Sequence, residues 1–65
     1  MELTFELREK IKELGIDPDQ SRYQLLRDIN DRELEIGYDE DWHMTDKGRD
    51  VERIYDAVYA LKELP

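Results

Sequence analysis

The chain has 65 residues, no cysteine and a formal net charge of −8 at neutral pH, with 43% of its residues charged. This length suits a single domain over residues 1–65, and the lack of cysteine excludes a disulfide framework and a thiolate metal site. The acidic excess disfavours binding to nucleic acid or anionic membranes and favours a protein partner with a basic surface, unless the acidity is a trait of a salt-rich cytoplasm.

The first predicted element is a helix that follows Thr4, a residue that caps helix N-termini well. Leu7, Ile11 and Leu14 recur at the spacing of one helical face. Gly15 stands where a glycine often ends a helix. We therefore expect this helix to place its three apolar side chains in a core.

A second helix is predicted over residues 18–30, with Asp17 as its N-cap, Pro18 at its first position and Gln20 completing a capping box. The same stretch imitates the start of a calcium-binding loop. However, Arg22 stands where such a loop requires glycine, and its final bidentate glutamate is missing. We therefore interpret the stretch as a helix cap and predict no metal site.

The apolar period then changes from 3.6 to 2, which is typical of strands. Leu34, Ile36 and Tyr38 alternate with acidic residues or glycine, and Trp42 shares a face with Met44. The loop between the two runs is acidic and consists of Asp39, Glu40 and Asp41. Two such runs joined by three residues predict a β-hairpin. We expect Trp42 in the core; alternatively, it forms with Tyr38 an aromatic patch beside the acidic loop.

A third helix is predicted from its cap, Thr45, to Pro65, with no helix breaker after Gly48. Its apolar residues cover more than half of the helix circumference, whereas a helix that packs on one side needs a stripe of only about 100°. We therefore expect two neighbours for this helix, one of which could be a second copy of the chain. The residues predicted for such a homodimer interface are Tyr55, Tyr59, Leu61 and Leu64.

The order helix, helix, hairpin, helix resembles a trimmed winged-helix domain. LLRDINDRELEIGY, residues 25–38, is similar to a recognition helix that runs into a wing strand. WHMTDKGRDV, residues 42–51, is similar to the second wing strand and the following helix of MarR-like and PadR-like regulators. The likeness implies an α+β fold of order α-α-β-β-α and a regulatory binding module, which in that family usually binds DNA.

Charge separates two functional hypotheses. A DNA-binding regulator would use the helix 18–30, with Arg22, Gln24 and Arg27 as contacts, and would rest the wing 38–42 against phosphates. Residues 35–45 contain four carboxylates and no lysine or arginine, which is half of the net charge of −8. We therefore favour docking on a basic protein surface and keep DNA binding as the alternative. The predicted docking residues are Tyr38, Asp39, Glu40, Asp41 and Trp42.

Catalysis finds little support in the residue pattern. His43 is the only histidine, is expected to face solvent, and has no second ligand or base spaced to join it. The sequence carries no glycine-rich phosphate loop, activated nucleophile or paired acid and base, so we predict no catalytic residue and no cofactor. No apolar run approaches the roughly 20 residues of a membrane span. The N-terminus lacks the order of a signal peptide, so we expect a cytoplasmic protein.

Overall fold

The computed structural model describes residues 2–61 and contains three α-helices: α1, Phe5–Glu13; α2, Arg22–Ile36; and α3, Asp46–Ala60. Within residues 2–61 there is no strand, and Tyr38 and Met44 form only an isolated antiparallel bridge. The expected α+β fold of order α-α-β-β-α is therefore wrong, and the described part of the chain is an all-helical domain. None of the described helices is long and apolar enough to cross a membrane.

The predicted first strand belongs to the end of α2, which continues to Ile36 rather than ending near residue 30. On a helix, Ile36 follows Ile29 by two turns, and it packs partly buried against the core cluster. Leu34 points away from this face and is exposed. Arg32 and Glu35 favour helix and pair at 2.8 Å across one turn. The packing of Ile36 against the core therefore favours helix over the strand that the alternation of Leu34 and Ile36 predicts.

Side-chain caps begin all three helices. Thr4 and Thr45 accept hydrogen bonds from the backbone N–H groups three residues further on, so both predicted caps are confirmed. The second helix begins at Arg22 with Ser21 as its cap, so its predicted start at Pro18 is wrong. The Asp17 carboxylate instead accepts a hydrogen bond from the N–H two residues on, at 2.9 Å. This contact forms a local turn ahead of the helix.

The core lies where α3 packs between α2 and α1. Each helix contributes buried aliphatic side chains: Ile11, Leu14, Leu25, Leu26, Ile29, Val51, Ile54 and Val58. Within the chain, α3 packs against both α2 and α1, which fits the expected two neighbours, while a neighbour from a second chain stays a prediction. Of the apolar arc of α3, Val51, Ile54 and Val58 are buried within the molecule, whereas Ala57 and Tyr59 are exposed.

Two glycines allow the first turn of α3 to cross the end of α2 in backbone contact. A Cβ atom on Gly48 would lie 2.9 Å from the carbonyl carbon and the Cα of Gly37, which is too close for any side chain. The Gly37 carbonyl accepts hydrogen bonds from the N–H of Thr45 at 2.8 Å and from its hydroxyl at 3.2 Å. The crossing therefore brings the two ends of the intervening loop together and makes the loop protrude.

Candidate interaction site at the acidic turn

The loop that joins α2 to α3, residues 38–44, is a tight reversal that we name the acidic turn. Its two ends meet at the bridge between Tyr38 and Met44. Inside the bridge, the N–H of Asp39 donates to the His43 carbonyl at 3.0 Å, and the N–H of Trp42 donates to the Asp39 carbonyl at 3.0 Å. The chain therefore reverses direction at the predicted place, although the flanking strands are absent from the described residues.

Asp39 holds the acidic turn together from within. Its Oδ1 atom accepts hydrogen bonds from the backbone N–H groups of Asp41 and His43, both at 2.9 Å. Such Asx contacts replace the backbone partners that a strand would supply. Of the three acidic residues at the tip, Asp39 therefore has a structural role. The carboxylates of Glu40 and Asp41 belong to exposed residues.

Trp42 lies on the surface of the acidic turn and is 74% exposed, so its expected place in the core is wrong. Its φ angle is 61°, in the left-handed region that bulky residues rarely adopt. The inward direction predicted for its side chain depended on a strand that does not form. The alternative prediction is correct, because the Tyr38 and Trp42 ring centroids lie 6.1 Å apart with an interplanar angle of 49°. The two rings form an aromatic patch beside the carboxylates.

One grouping of side chains at the tip could hold a divalent cation. Asp39, Asp41 and His43 each offer a ligand atom within 4.8 Å of the others, and all three residues are exposed. Sequence reasoning missed this grouping because it placed His43 alone on one face of a strand. Since Oδ1 of Asp39 already accepts two backbone hydrogen bonds, the set has less ligand capacity than its residue types suggest. The absence of a metal site stays a prediction.

The three residues predicted to contact DNA do not act as one surface. The Arg22 guanidinium donates to the Tyr59 carbonyl at 2.7 Å and to the Leu61 carbonyl at 2.9 Å, and it lies 5.2 Å from the Tyr59 ring centroid. Arg22 therefore holds the end of α3 instead of facing outward. Gln24 and Arg27 are exposed on α2.

The residues predicted for a homodimer interface are partly engaged within the chain. Tyr55 packs half-buried against the core and stacks on Tyr59, with ring centroids 6.3 Å apart. Tyr59 is exposed but carries the Arg22 guanidinium near its ring, and Leu61 is half-buried. Leu64 lies outside the described residues. Dimerisation through this surface stays a prediction.

Acidic residues also meet where α2 faces α3. Burial raises the pKa of the Glu33 carboxyl, and the nearby carboxylates of Glu52 and Asp56 raise this pKa further. Residue spacing does not predict this proximity, because Glu33 lies far from Glu52 and Asp56 along the chain. We therefore expect the pairing of α2 with α3 to weaken when Glu33 ionises.

Two open grooves lie away from the acidic turn. One, of about 440 Å³, runs between α1 and α3 over an apolar floor that includes Leu7, Val51 and Ile54. The other, of about 500 Å³, lies between the turn after α1 and the polar side of α2, beside Asp28 and Arg32. Neither groove is lined by a histidine or by a side-chain hydroxyl group. They offer no nucleophile paired with a base, and the absence of catalysis stays a prediction.

No protein-family model matches this chain, and comparisons with curated proteins and with solved structures return no match either. The resemblance to winged-helix regulators stays a prediction. At the acidic turn, an exposed tryptophan lies beside the exposed carboxylates of Glu40 and Asp41.

Proposed function

We propose that this protein is a small non-enzymatic binding module that docks on a basic surface of another protein through the acidic turn. The observation that carries this proposal is the exposure of Trp42 at the tip, beside three carboxylates. Tryptophan is enriched among the few residues that dominate binding energy at protein interfaces. Carboxylates around such an anchor attract a basic partner and fix its orientation.

Two further features of Trp42 support the proposal. Its left-handed φ angle is a strained state for a bulky residue, and such strain clusters at functional sites. The hydrogen bonds of Asp39 hold that backbone in place before any partner arrives. A preorganised anchor loses less conformational entropy on binding. Burying a large apolar side chain in a partner's pocket is worth about 3 kcal/mol, or roughly a hundredfold in affinity.

Protein is favoured over DNA as the partner for electrostatic reasons. The acidic turn carries Asp39, Glu40 and Asp41 and no lysine or arginine, so it repels phosphates. Arg22 is committed to the end of α3 by two hydrogen bonds. A DNA-binding surface on α2 would therefore lose one of its three predicted contacts.

A photo-crosslinking amino acid in place of Trp42 tests the proposal. The matched control carries it in place of Tyr23, which is 72% exposed against 74% for Trp42. Tyr23 lies in the first turn of α2, and the acidic turn follows the last, about 20 Å away along the helix. We expect protein adducts in native lysate from position 42 and few from position 23. The adducts should survive nuclease treatment and decrease as salt is raised.

Three results would count against this function. Equal adduct patterns from positions 42 and 23 would show that exposure alone drives the crosslinking. Adducts lost after nuclease treatment would favour the DNA-binding alternative. Binding of the purified partner that does not change with salt would remove the electrostatic part of the mechanism.

A further inference from the structure

We propose that the group recognised at the acidic turn is an arginine side chain of the partner protein, an inference that rests on the proposed docking function. Its guanidinium would stack on the indole of Trp42 and donate hydrogen bonds to the neighbouring carboxylates. The structure brings both kinds of contact together at one place: an indole that is 74% exposed, and oxygen atoms of Asp39 and Asp41 within 4.8 Å of each other.

The indole supplies the first half of this recognition. Tryptophan has the most electron-rich face among the aromatic side chains, and a cation within about 6 Å of its ring centroid is attracted to it. Tyr38 supports one side of the ring, with its own centroid 6.1 Å away, and leaves most of the indole open to solvent. The indole therefore has one aromatic neighbour, and most of its surface remains available to a partner.

The carboxylates supply the second half. Oδ1 of Asp39 accepts two backbone hydrogen bonds, and its Oδ2 lies 3.9 Å from Nδ1 of the exposed His43. Asp41 and Glu40 are exposed and lie on the same tip. Hydrogen bonds from a guanidinium to carboxylates are charge-assisted and directional, so they orient the cation over the ring. A neutral apolar side chain would fill the same space but leave these carboxylates unpaired.

Arginine fits this surface better than lysine. A guanidinium can lie flat on an aromatic ring while its N–H groups point outward in the same plane, whereas an ammonium is a compact and strongly hydrated charge. The chain itself contains such an arrangement where the start of α2 meets the end of α3. Arg22 lies 5.2 Å from the Tyr59 ring centroid and donates two hydrogen bonds to backbone carbonyls.

The single tryptophan of the chain allows a direct test. Growth on mono-, di- or tetrafluorinated tryptophan changes position 42 alone, and fluorine withdraws electron density from the ring face. The probe is a short glycine-arginine peptide, and its binding is followed by calorimetry on the full chain. We expect affinity to fall stepwise along the series, by about two- to fivefold in total. The melting temperature of each fluorinated protein checks that the fold is intact.

Two matched peptides and one matched pair of variants complete the test. A citrulline peptide, which has nearly the same shape without the charge, should not bind measurably, and a lysine peptide should bind more weakly than the arginine peptide. Asp41→Asn should weaken binding, whereas Glu13→Gln on α1 should not. Affinity that stays constant or rises with fluorination would overturn arginine recognition, because fluorine also makes the ring more hydrophobic.

The two proposals fail in different ways. If position 42 crosslinks to protein but fluorination leaves peptide affinity unchanged, docking stands and arginine recognition falls. If arginine peptides bind with the expected fluorine dependence but position 42 yields no protein adduct in lysate, docking falls while the chemistry of the site stands.

Discussion

Replacement of Gly48 by alanine tests the backbone crossing that holds the acidic turn on the helical core. A Cβ atom at this position would lie 2.9 Å from two backbone atoms of Gly37. Backbone cannot rotate away as a flexible side chain can, so the first turn of α3 would have to move off the end of α2. That movement would stretch the hydrogen bonds from Thr45 to the Gly37 carbonyl, now 2.8 and 3.2 Å long.

The expected magnitude follows from three opposing effects at Gly48. Overpacking of a close contact costs about 1–3 kcal/mol. Loss of one hydrogen bond to Gly37 adds about 1 kcal/mol. Alanine is a better helix former than glycine, which returns at most about 1 kcal/mol. The net loss is about 1–3 kcal/mol, and in a domain of this size it lowers the melting temperature by roughly 5–20 °C.

Thermal unfolding followed by circular dichroism measures this effect. The sign of the change in melting temperature distinguishes the two effects. Helix propensity alone would make Gly48→Ala stabilising, whereas the steric contact with Gly37 makes it destabilising. Gly15→Ala is a useful control, since nothing lies within 4 Å of a Cβ atom there and only its left-handed φ of 78° opposes the change. We expect a loss of about 1 kcal/mol for that control. A melting temperature for Gly48→Ala equal to or above that of the natural chain would refute the reasoning.

Three further substitutions test separate parts of the structure. Asp39→Ala should loosen the acidic turn and lower the fluorescence anisotropy of Trp42. Asp39→Asn keeps an oxygen acceptor, so the anisotropy should change little. Equal anisotropy in the two variants would contradict the structural role of this side chain. Arg22→Met should cost about 1–2 kcal/mol and speed amide exchange at the end of α3 near Tyr59, and unchanged exchange there would argue against the anchoring contact. Because burial and like charges raise the pKa of Glu33 in the folded chain, its ionisation lowers the free energy of unfolding as pH rises through that pKa. Glu33→Gln should therefore stabilise the protein at neutral pH and not in acid, as measured by denaturant titration; a gain of equal size at every pH would exclude this cause.

The features that sequence predicted correctly are local ones. A threonine followed by a helical run caps that run through an N–H only three residues away, and Thr4 and Thr45 do so. Gly15 is predicted to end the first helix, and its φ of 78° fits that role. The two neighbours of α3 were predicted from its wide apolar arc. In each case the residues that determine the feature lie within a few positions of one another or on a single helix.

The features that sequence missed depend on contacts across the fold. Leu34 and Ile36 fit a strand alternation, but Ile36 also lies two helical turns after Ile29, and only packing against the core decides between the periods. Asp17 and Ser21 are both good caps, and the pattern does not say which one begins the helix. The left-handed φ of Trp42 follows from hydrogen bonds within the acidic turn, so its exposure was not visible in the residue spacing.

The sequence therefore predicts which residues form the candidate site but not how they are arranged. Their arrangement supports the proposal of a basic partner. Some acidic residues elsewhere are paired within the chain, as Asp19 is with Arg8 at 2.8 Å and Glu35 is with Arg32 at 2.8 Å. Exposed pairs of this kind add little stability, but they do cancel charge locally. Residues 38–44 contain three carboxylates and no lysine or arginine; their one basic side chain is His43, whose Nδ1 lies 3.9 Å from Oδ2 of Asp39. Glu40 and Asp41 have no ion pair among residues 2–61, so repulsion between these carboxylates is not cancelled there. Since Gly37 accepts hydrogen bonds that start α3 and close the turn, the chain cannot relieve that repulsion by opening the loop without disturbing the helix crossing. A cation supplied by a partner would relieve it while the fold stays intact.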